Sequence, residues 1–245
     1  MPKNLNSASR LIGLLQQAAA QPDNTQVLEV WAKLFDLSDT NPNRKAIAVA
    51  ERLRSMHREL DIVSDQLRNA SFSTELYEGH LSRIEHALST MLLPGTWNQV
   101  KQFLPPDVLT ALAFCSEILP DEETLISEQE LAEIRSKVEE LRATLDDVTI
   151  PPRLSQLIRH HIELIEHALA EYPIAGAKVL REAGRAALGE IIEAKDTISA
   201  SRETQAVSQL EATWKTINQA TDVALKAEKL AQLGQKAWDM IAGMF

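Results

Sequence analysis

The sequence predicts an all-α protein, a multi-helix bundle of about nine or ten helices. Three observations support this fold class. The good helix formers Leu, Ala, Glu and Gln recur throughout the chain, and glycine accounts for only 8 of the 245 residues. Apolar residues return at the helical period in nearly every segment. No stretch of apolar and polar alternation is long enough to indicate a strand.

In the first half of the chain, prolines and polar turn residues separate the predicted helices. Two shorter helices are expected near the N-terminus. A long third helix should follow the Asn41-Pro42-Asn43 turn, because asparagine is a typical N-cap residue. The Ser71-Phe72-Ser73 segment restarts the chain into a fourth helix. The expected ranges are 7–21, 27–37, 44–69 and about 71–93.

From residue 97 onward, the sequence pattern predicts six further helices. Pro105-Pro106 suits the start of one of them, because the N–H that proline lacks is not needed in a first turn. Ser127 and Glu130 form a capping box for another. The last segment has no proline and only one internal glycine, so it is expected to form one long helix or a kinked pair. The expected ranges are 97–104, 107–119, 127–145, 154–172, 174–194 and 201–243.

An internal repeat at an offset of 81 residues predicts a duplicated helical unit. The sequence Ile-Glu-His-Ala-Leu occurs at Ile84–Leu88 and again at Ile165–Leu169. Between residues 27 and 95, 16 of the 69 positions are identical to the residue 81 positions later. Leucine matches are expected between any two amphipathic helices. Matches of polar residues such as Arg54 and Asp65 are not, so they favour duplication.

We therefore predict two related three-helix units. Each unit has a medium helix, a long helix and a third helix with the histidine motif, and each offers one face to its neighbour. A short N-terminal helix precedes them and a long C-terminal helical arm follows, and the parts can pack as a single domain. The predicted boundaries are 1–26 for the N-terminal helix, 27–104 and 105–195 for the units, and 196–245 for the arm.

Composition argues against several classes of function. The net charge of −10 would repel a phosphate backbone, so nucleic acid is not expected as a partner. Cys115 is the only cysteine, which excludes an internal disulfide, and its place on an apolar stripe predicts core packing. The N-terminus lacks the features of a signal peptide and no window holds 18 uninterrupted apolar residues, so a cytoplasmic protein is expected. Phosphate-binding glycine loops and nucleophile motifs are absent, and no cofactor is expected.

The histidines of the repeat are the candidate catalytic residues if the chain is an enzyme. They are His80, His86, His161 and His167. His80 and His86 are six residues apart, about 120° around a helix axis, so they cannot chelate one ion from the same helix. The Glu-x-x-His pattern of di-iron bundles and the His-Glu-x-x-His pattern of zinc peptidases are both absent, and no metal site is expected.

A second arrangement of histidines remains open on the third helix of the second unit. His160 and His167 share a helix face, and Glu163 lies one turn before His167, so a His/Glu/His line is possible there. The competing interpretation places the histidines on helix flanks, where they bond to glutamates or water between helices.

The C-terminal segment is the expected partner-binding surface. Its apolar residues follow a 4-3-4-4-3-4 spacing, which is typical of one helix face. This stripe is expected to pack on its own domain, to bind a partner or a second copy, or to lie on a membrane surface. The residues expected to contact a partner are Leu230, Trp238, Ile241, Met244 and Phe245.

The sequence favours a non-catalytic cytoplasmic protein that binds another protein, or a second copy of itself, through helical surfaces and the C-terminal arm. An immunity protein, an antitoxin-like inhibitor and an adaptor all fit this description. One alternative is a metal- or histidine-dependent enzyme in which the four repeat histidines converge with Glu85, Glu163 or Glu166. The other is a membrane-acting effector that uses the amphipathic C-terminus.

Overall fold

The computed structural model describes residues 4–147 and 149–225, and this part of the chain is all-α. It contains eleven α-helices and three short 3-10 helices, at Thr74–Leu76, Thr90–Leu92 and Thr144–Asp146. Two isolated β-bridges, Gln26 with Thr96 and Glu123 with Leu225, are the strand-like pairings among the described residues. The helices are α1 Ser7–Ala19, α2 Val27–Leu34, α3 Pro42–Asn69, α4 Glu78–Ala87, α5 Trp97–Lys101, α6 Pro106–Ile118, α7 Glu128–Ala143, α8 Pro152–Ala175, α9 Ala177–Glu193, α10 Lys195–Ala200 and α11 Gln205–Ala224.

The helices form two compact units, each with its own apolar core. The first comprises residues 4–122 with 173–176. The second comprises the described residues of 123–172 and 177–225. The first packed unit therefore extends to Glu122. The boundary between the two predicted repeat units lies earlier, near residue 105. The physical reason is that α6 packs against α1 and α4, which places this helix in the first core.

The core of the first unit is built around two tryptophans. Trp31 and Trp97 are completely buried, and their rings meet edge to face with centroids 5.4 Å apart. Phe35 stacks on Trp31 at 5.6 Å. Such aromatic pairs bury a large apolar area and add about 0.5–1.5 kcal/mol beyond that burial. They fix α2 against α5 at the centre of this unit.

A buried ion network joins α1 to α3 in the first unit. Nη2 of Arg10 lies 2.9 Å from Oε2 of Glu59 and 2.8 Å from Oε2 of Glu122, and its Nε donates to the carbonyl of Ile174 over 3.2 Å. Gln66 donates to the other Glu122 oxygen over 3.1 Å. Burial raises the pKa of Glu122, but the charge and hydrogen bonds of Arg10 outweigh burial, so this pKa lies below its ordinary value.

The core of the second unit forms where α11 packs against α7 and α9. Trp214 of α11 is its largest completely buried side chain. The apolar stripe predicted on α8 faces this core, since four of its residues are buried and Leu157 and Leu169 are partly buried against the same cluster. The four buried residues are Leu154, Ile158, Ile162 and Ile165.

Two predicted helix starts are confirmed by their hydrogen bonds. The side chain of Asn41 accepts from the backbone N–H groups of Asn43 and Arg44, at 3.0 and 3.2 Å. Ser127 Oγ accepts from the Glu130 N–H over 3.2 Å, and the Glu130 carboxylate accepts from the Ser127 N–H over 2.8 Å. Both arrangements satisfy N–H groups that a helix start leaves without an internal partner.

Helix bounds differ from the prediction where tertiary contacts decide them. The expected helix of residues 71–93 is α4 flanked by two 3-10 turns, and Ser89 accepts from the N–H of Met91 in the second turn. Helix α8 continues through Pro173 and ends at Ala175, directly before Gly176, whose φ of 73° suits glycine. Ile174 is buried in the first core, which holds this additional turn in place. The short helix α10 was not predicted.

The predicted C-terminal arm, 196–245, falls only partly within the described residues. Helices α10 and α11 account for its beginning, and both pack with α9 or α7 in the second unit. The five predicted partner contacts lie outside the described residues. These are Leu230, Trp238, Ile241, Met244 and Phe245.

Candidate functional site

A polar groove lies between α3 and α4 of the first unit. Its volume is about 540 Å³, within the range typical of ligand and peptide sites. One wall comes from α3, and the other comes from the end of α4 and the turn that follows it. The lining residues are Ala50, Arg54 and His57 on the first wall, and Glu85, His86, Ser89 and Thr90 on the second. This groove, called the first groove below, contains the predicted residues His86 and Glu85.

The amphipathic pattern of α3 and α4 places these side chains in the groove. On α3, Leu53 and Met56 are completely buried, and each is followed directly by a residue that lines the groove. On α4, Ile84 is completely buried, and Glu85 and His86 follow it toward the exposed flank. Successive helix residues point about 100° apart, so a buried stripe leaves its next neighbours at the edge of the interface.

His86 is held in one orientation by two contacts. Its Nδ1 lies 2.7 Å from the carbonyl oxygen of Ser82. A carbonyl only accepts, so Nδ1 carries a proton, and in the neutral form of the ring Nε2 has a free lone pair. The ring also stacks on Phe103, with centroids 5.6 Å apart. His86 therefore presents a fixed hydrogen-bond acceptor at the groove.

Two opposite charges in the first groove have no partner within the described chain. Arg54 on α3 and Glu85 on α4 are both exposed, and neither forms an ion pair or hydrogen bond with another described residue. Each charge is solvated by water and remains available to a bound group.

The second unit has a groove in the position that corresponds through the 81-residue offset. This second groove lies between α7 and α8, has a volume of about 310 Å³, and is lined by Arg135, Val138, Glu139, Glu166, Leu169 and Ala170. Arg135 and Glu166 are the repeat partners of Arg54 and Glu85. The duplication of a helical unit stays a prediction, and the predicted unit boundaries differ from those of the packed units.

The second groove differs from the first in its charge pairing. Arg142 contacts Glu166 at 2.5 Å and Glu139 at 3.6 Å, so both carboxylates have an ion-pair partner within the chain. The residue that corresponds to Arg142 in the first unit is Asp61, an acid that cannot neutralise Glu85. Val138 and Ala170 also replace polar lining residues of the first groove. The first groove is the better candidate site, because it has more polar lining residues and because its charged residues Arg54 and Glu85 have no ion-pair partner within the described chain.

The other predicted histidine of α4 has different neighbours. Nδ1 of His80 lies 4.0 Å from Oδ2 of Asp107, and the same oxygen lies 3.5 Å from Nη1 of Arg83. His80 is not part of the lining of the first groove. The two α4 histidines are therefore not brought into one site by their own unit, as their six-residue spacing predicts.

His161 is completely buried between three helices of the second unit. Its Nδ1 accepts a hydrogen bond from Nε1 of Trp214 over 3.0 Å, and its Nε2 lies 3.3 Å from Oε2 of Glu190. Burial lowers the pKa of His161 to about 4; the carboxylate of Glu190 opposes this shift and His160 adds to it. The lone pair of Nδ1 is engaged by Trp214, so this imidazole is a structural group of the core.

The predicted His/Glu/His line on α8 is arranged differently in the structure. His160 directs its Nε2 to Oε1 of Glu190 on α9, at 3.0 Å. Glu163 and His167 are exposed to solvent on the same helix. Among residues 4–147 and 149–225, no group of three or more His, Cys, Asp and Glu side chains is placed to hold a metal ion.

The predicted convergence of the four repeat histidines stays a prediction. His80 and His86 belong to the first unit, and His161 and His167 belong to the second.

Cys115 is buried, as its apolar stripe predicts. Burial raises the pKa of its thiol to about 11, against a smaller opposing effect of a backbone hydrogen bond, so the thiol is neutral at physiological pH.

The sequence did not reveal all the residues of the first groove or all the neighbours of His161. Arg54 and His57 were not predicted as site residues, although the match of Arg54 with Arg135 in the repeat marks a position retained in both copies. Glu190 and Trp214 have no comparable signal. They meet His161 through contacts between helices that are 29 and 53 residues away in sequence.

Comparisons with protein-family models, with curated proteins and with solved structures find no match to this chain. Among the described helices, none combines the length and the apolar character needed to cross a membrane.

Proposed function

We propose that this protein is a non-catalytic, cytoplasmic binding protein, an adaptor or inhibitor that holds another protein or a second copy in the first groove. The observation that supports this proposal is the unpaired polar lining of that groove. Arg54, Glu85 and the Nε2 of His86 offer a cation, an anion and an acceptor in one open cleft. A partner surface can satisfy all three without any chemical reaction.

Exposed apolar side chains flank the same groove. Ile47 is 62% exposed and lies about one helical turn before Ala50 on α3. Met91 is 85% exposed and directly follows Thr90. Apolar residues that remain in water beside a polar cleft are a common feature of protein interfaces, since partner binding removes their surface from water. Binding at this groove would cover both.

The groove is a poorer fit to a hydrolytic or transfer mechanism. An activated nucleophile needs a hydrogen bond to a base that a third group orients. Within the described structure, Ser89 and Thr90 have no hydrogen bond to His57 or His86; Ser89 instead accepts from the N–H of Met91.

The predicted contacts of the C-terminal arm, from Leu230 to Phe245, are a second proposed part of the binding surface.

The proposal is tested by comparative affinity capture. Tagged wild-type protein and two variants are expressed in the source cells beside an untagged copy of the chain, and bound proteins are quantified by mass spectrometry. The groove variant combines Ile47→Glu with Met91→Glu. The control variant is Leu125→Glu, which changes a side chain of the second unit with a similar exposure of 65%.

A partner that binds in the groove should be retained by the wild type and by Leu125→Glu, and should be lost from the groove variant. All substituted side chains are exposed, so circular dichroism should show the same helix content for the three proteins. A partner that binds all three proteins equally, or no enriched partner at all, would contradict the proposed use of the groove.

A further inference from the structure

We propose that the occupant of the first groove is a second copy of this chain, paired about a two-fold axis so that Arg54 of each copy contacts Glu85 of the other. This inference rests on the proposed binding role of the groove and names its partner. It follows from the arrangement of charge on the two walls.

The first groove is complementary to itself in charge. The unpaired cation Arg54 stands on the α3 wall, and the unpaired anion Glu85 stands on the α4 wall. In a two-fold interface the same patch faces itself, so that a contact from residue i to residue j is always accompanied by the contact from j to i. One docking arrangement therefore forms two ion pairs and leaves neither charge without a partner.

The remaining groups of the groove are suited to the same symmetry. Because the α3 wall of one copy would face the α4 wall of the other, the Nε2 of His86 and the hydroxyl groups of Ser89 and Thr90 would lie opposite Arg54 and His57 of the second copy, where they can form hydrogen bonds. Ile47 and Met91 would be covered at the edge of the interface. Their burial excludes water from the ion pairs, which makes such pairs stronger than exposed ones.

The second groove cannot be used in this way. Its Glu166 and Glu139 are both paired with Arg142 of the same chain, and only Arg135 keeps an unpaired charge among the lining residues. Two copies of that groove would offer Arg135 only carboxylates that Arg142 already contacts. The proposed contact is therefore specific to the first unit.

The net charge of −10 opposes association of two copies at long range. A stable pair therefore depends on local complementarity, and reversal of a single groove charge should weaken it. Arg54→Glu gives a groove with two anions, and Glu85→Arg gives a groove with two cations. Each variant repels its own copies but complements the other variant at both contacts.

The test is sedimentation-velocity ultracentrifugation of the purified full-length chain. The wild type should sediment as a dimer, and Arg54→Glu and Glu85→Arg should each weaken self-association by about tenfold or more. An equimolar mixture of the two variants should recover the dimer. The matched controls are Arg135→Glu and Glu166→Gln in the second groove, and both should leave the dimer unchanged.

The outcomes separate this inference from the proposed function. A wild type that is monomeric at high concentration, or single variants that dimerise like the wild type, would overturn the second-copy proposal. Single variants that dissociate but do not recover on mixing would overturn the two-fold pairing of Arg54 with Glu85. In each case, a foreign protein lost only from the Ile47→Glu, Met91→Glu variant would still support the binding function of the groove.

Discussion

The indole Nε1–H of Trp214 donates a hydrogen bond to Nδ1 of His161 over 3.0 Å in the core of the second unit. Because Nδ1 accepts, the ring proton resides on Nε2, which lies 3.3 Å from the carboxylate of Glu190. The neutral imidazole thus satisfies Trp214, while its Nε2 lies near Glu190 without the geometry of a hydrogen bond. A second proton would have to sit on Nδ1, where it would meet the N–H of Trp214, and the buried site would hold a cation away from water.

The first prediction is that the second unit loses stability as the pH falls from about 6.5 to about 4. The pKa of His161 is about 4 in the folded chain and has its ordinary value of about 6.5 when unfolded. In this window the unfolded state binds the proton first, so the free energy of unfolding decreases with decreasing pH, by up to about 3 kcal/mol. Urea unfolding followed by circular dichroism between pH 7 and pH 4 measures this decrease.

Two variants control for the other titrating groups. His161→Gln removes the buried imidazole, and its free energy of unfolding should depend less steeply on pH than that of the wild type. His167→Gln removes an exposed imidazole of the same helix and should keep the wild-type slope. Equal slopes for the wild type and His161→Gln would show that His161 does not cause the acid destabilisation.

The second prediction concerns the buried ion network of the first unit. Arg10→Met should lower the free energy of unfolding by about 3–5 kcal/mol, because Glu59 and Glu122 would both lose the cation that they share in this network. The double variant Arg10→Met, Glu59→Met should recover part of this loss, since it removes the most buried carboxylate together with Arg10 and leaves only the partly exposed Glu122 without that cation. Urea titrations of the two proteins measure the difference.

An exposed ion pair provides the control for Arg10. Arg68 and Asp65 pair at 3.0 Å with side chains that are more than 60% exposed. Arg68→Met should therefore change stability by no more than about 0.5–1 kcal/mol. A similar loss for Arg10→Met and Arg68→Met would mean that burial of the network has little energetic importance.

The third prediction is a stabilising substitution at the end of α3. Ser71 follows this helix with a φ of 59°, a left-handed conformation that glycine adopts without strain. Ser71→Gly should raise the free energy of unfolding by about 0.5–1 kcal/mol. Ser73 has a φ of −61°, so Ser73→Gly should give no gain. Thermal melting of both variants gives the comparison, and a gain at Ser73 equal to that at Ser71 would argue against relief of strain.

The fourth prediction concerns the capping box of α7. Ser127→Ala removes the side-chain acceptor of the Glu130 N–H and should cost about 1 kcal/mol. The hydroxyl and backbone N–H of Ser127 lower the pKa of Glu130 in the folded chain. In the variant this pKa should therefore move upward, which NMR titration can measure. Ser136→Ala changes an exposed serine inside the same helix, so it should leave the pKa of Glu130 unchanged and should not lower stability, because alanine favours a helix interior.

Most of the helices could be predicted because their signals are local. The cap residues Asn41 and Ser127 satisfy N–H groups only two or three positions away, so the sequence shows both partners of each bond. The apolar stripe of α8 follows from the helical period alone. The extension of α8 to Ala175 could not be predicted, because it depends on the burial of Ile174 among helices distant in sequence.

The candidate site was predicted only in part, for the same reason. His86 and Glu85 were visible in the repeated motif, but the opposite wall with Arg54 and His57 became part of the site only when α3 packed beside α4. The different charge pairing of the two grooves could not be predicted by aligning the two halves of the repeat. It depends on Arg142, which reaches Glu166 from a neighbouring helix, and on Asp61, which cannot do so in the first unit.

The sequence by itself determined the all-α class, the order of the main helices and the 81-residue repeat, because helical period and capping act within a few residues. Only the tertiary structure decided that α6 joins the first core, that His161 is a buried partner of Trp214, and that Arg54 and Glu85 share one groove. Each of these results is a contact between helices. Such contacts are selected by the packing and charge pairing of whole surfaces, which a short stretch of sequence does not specify.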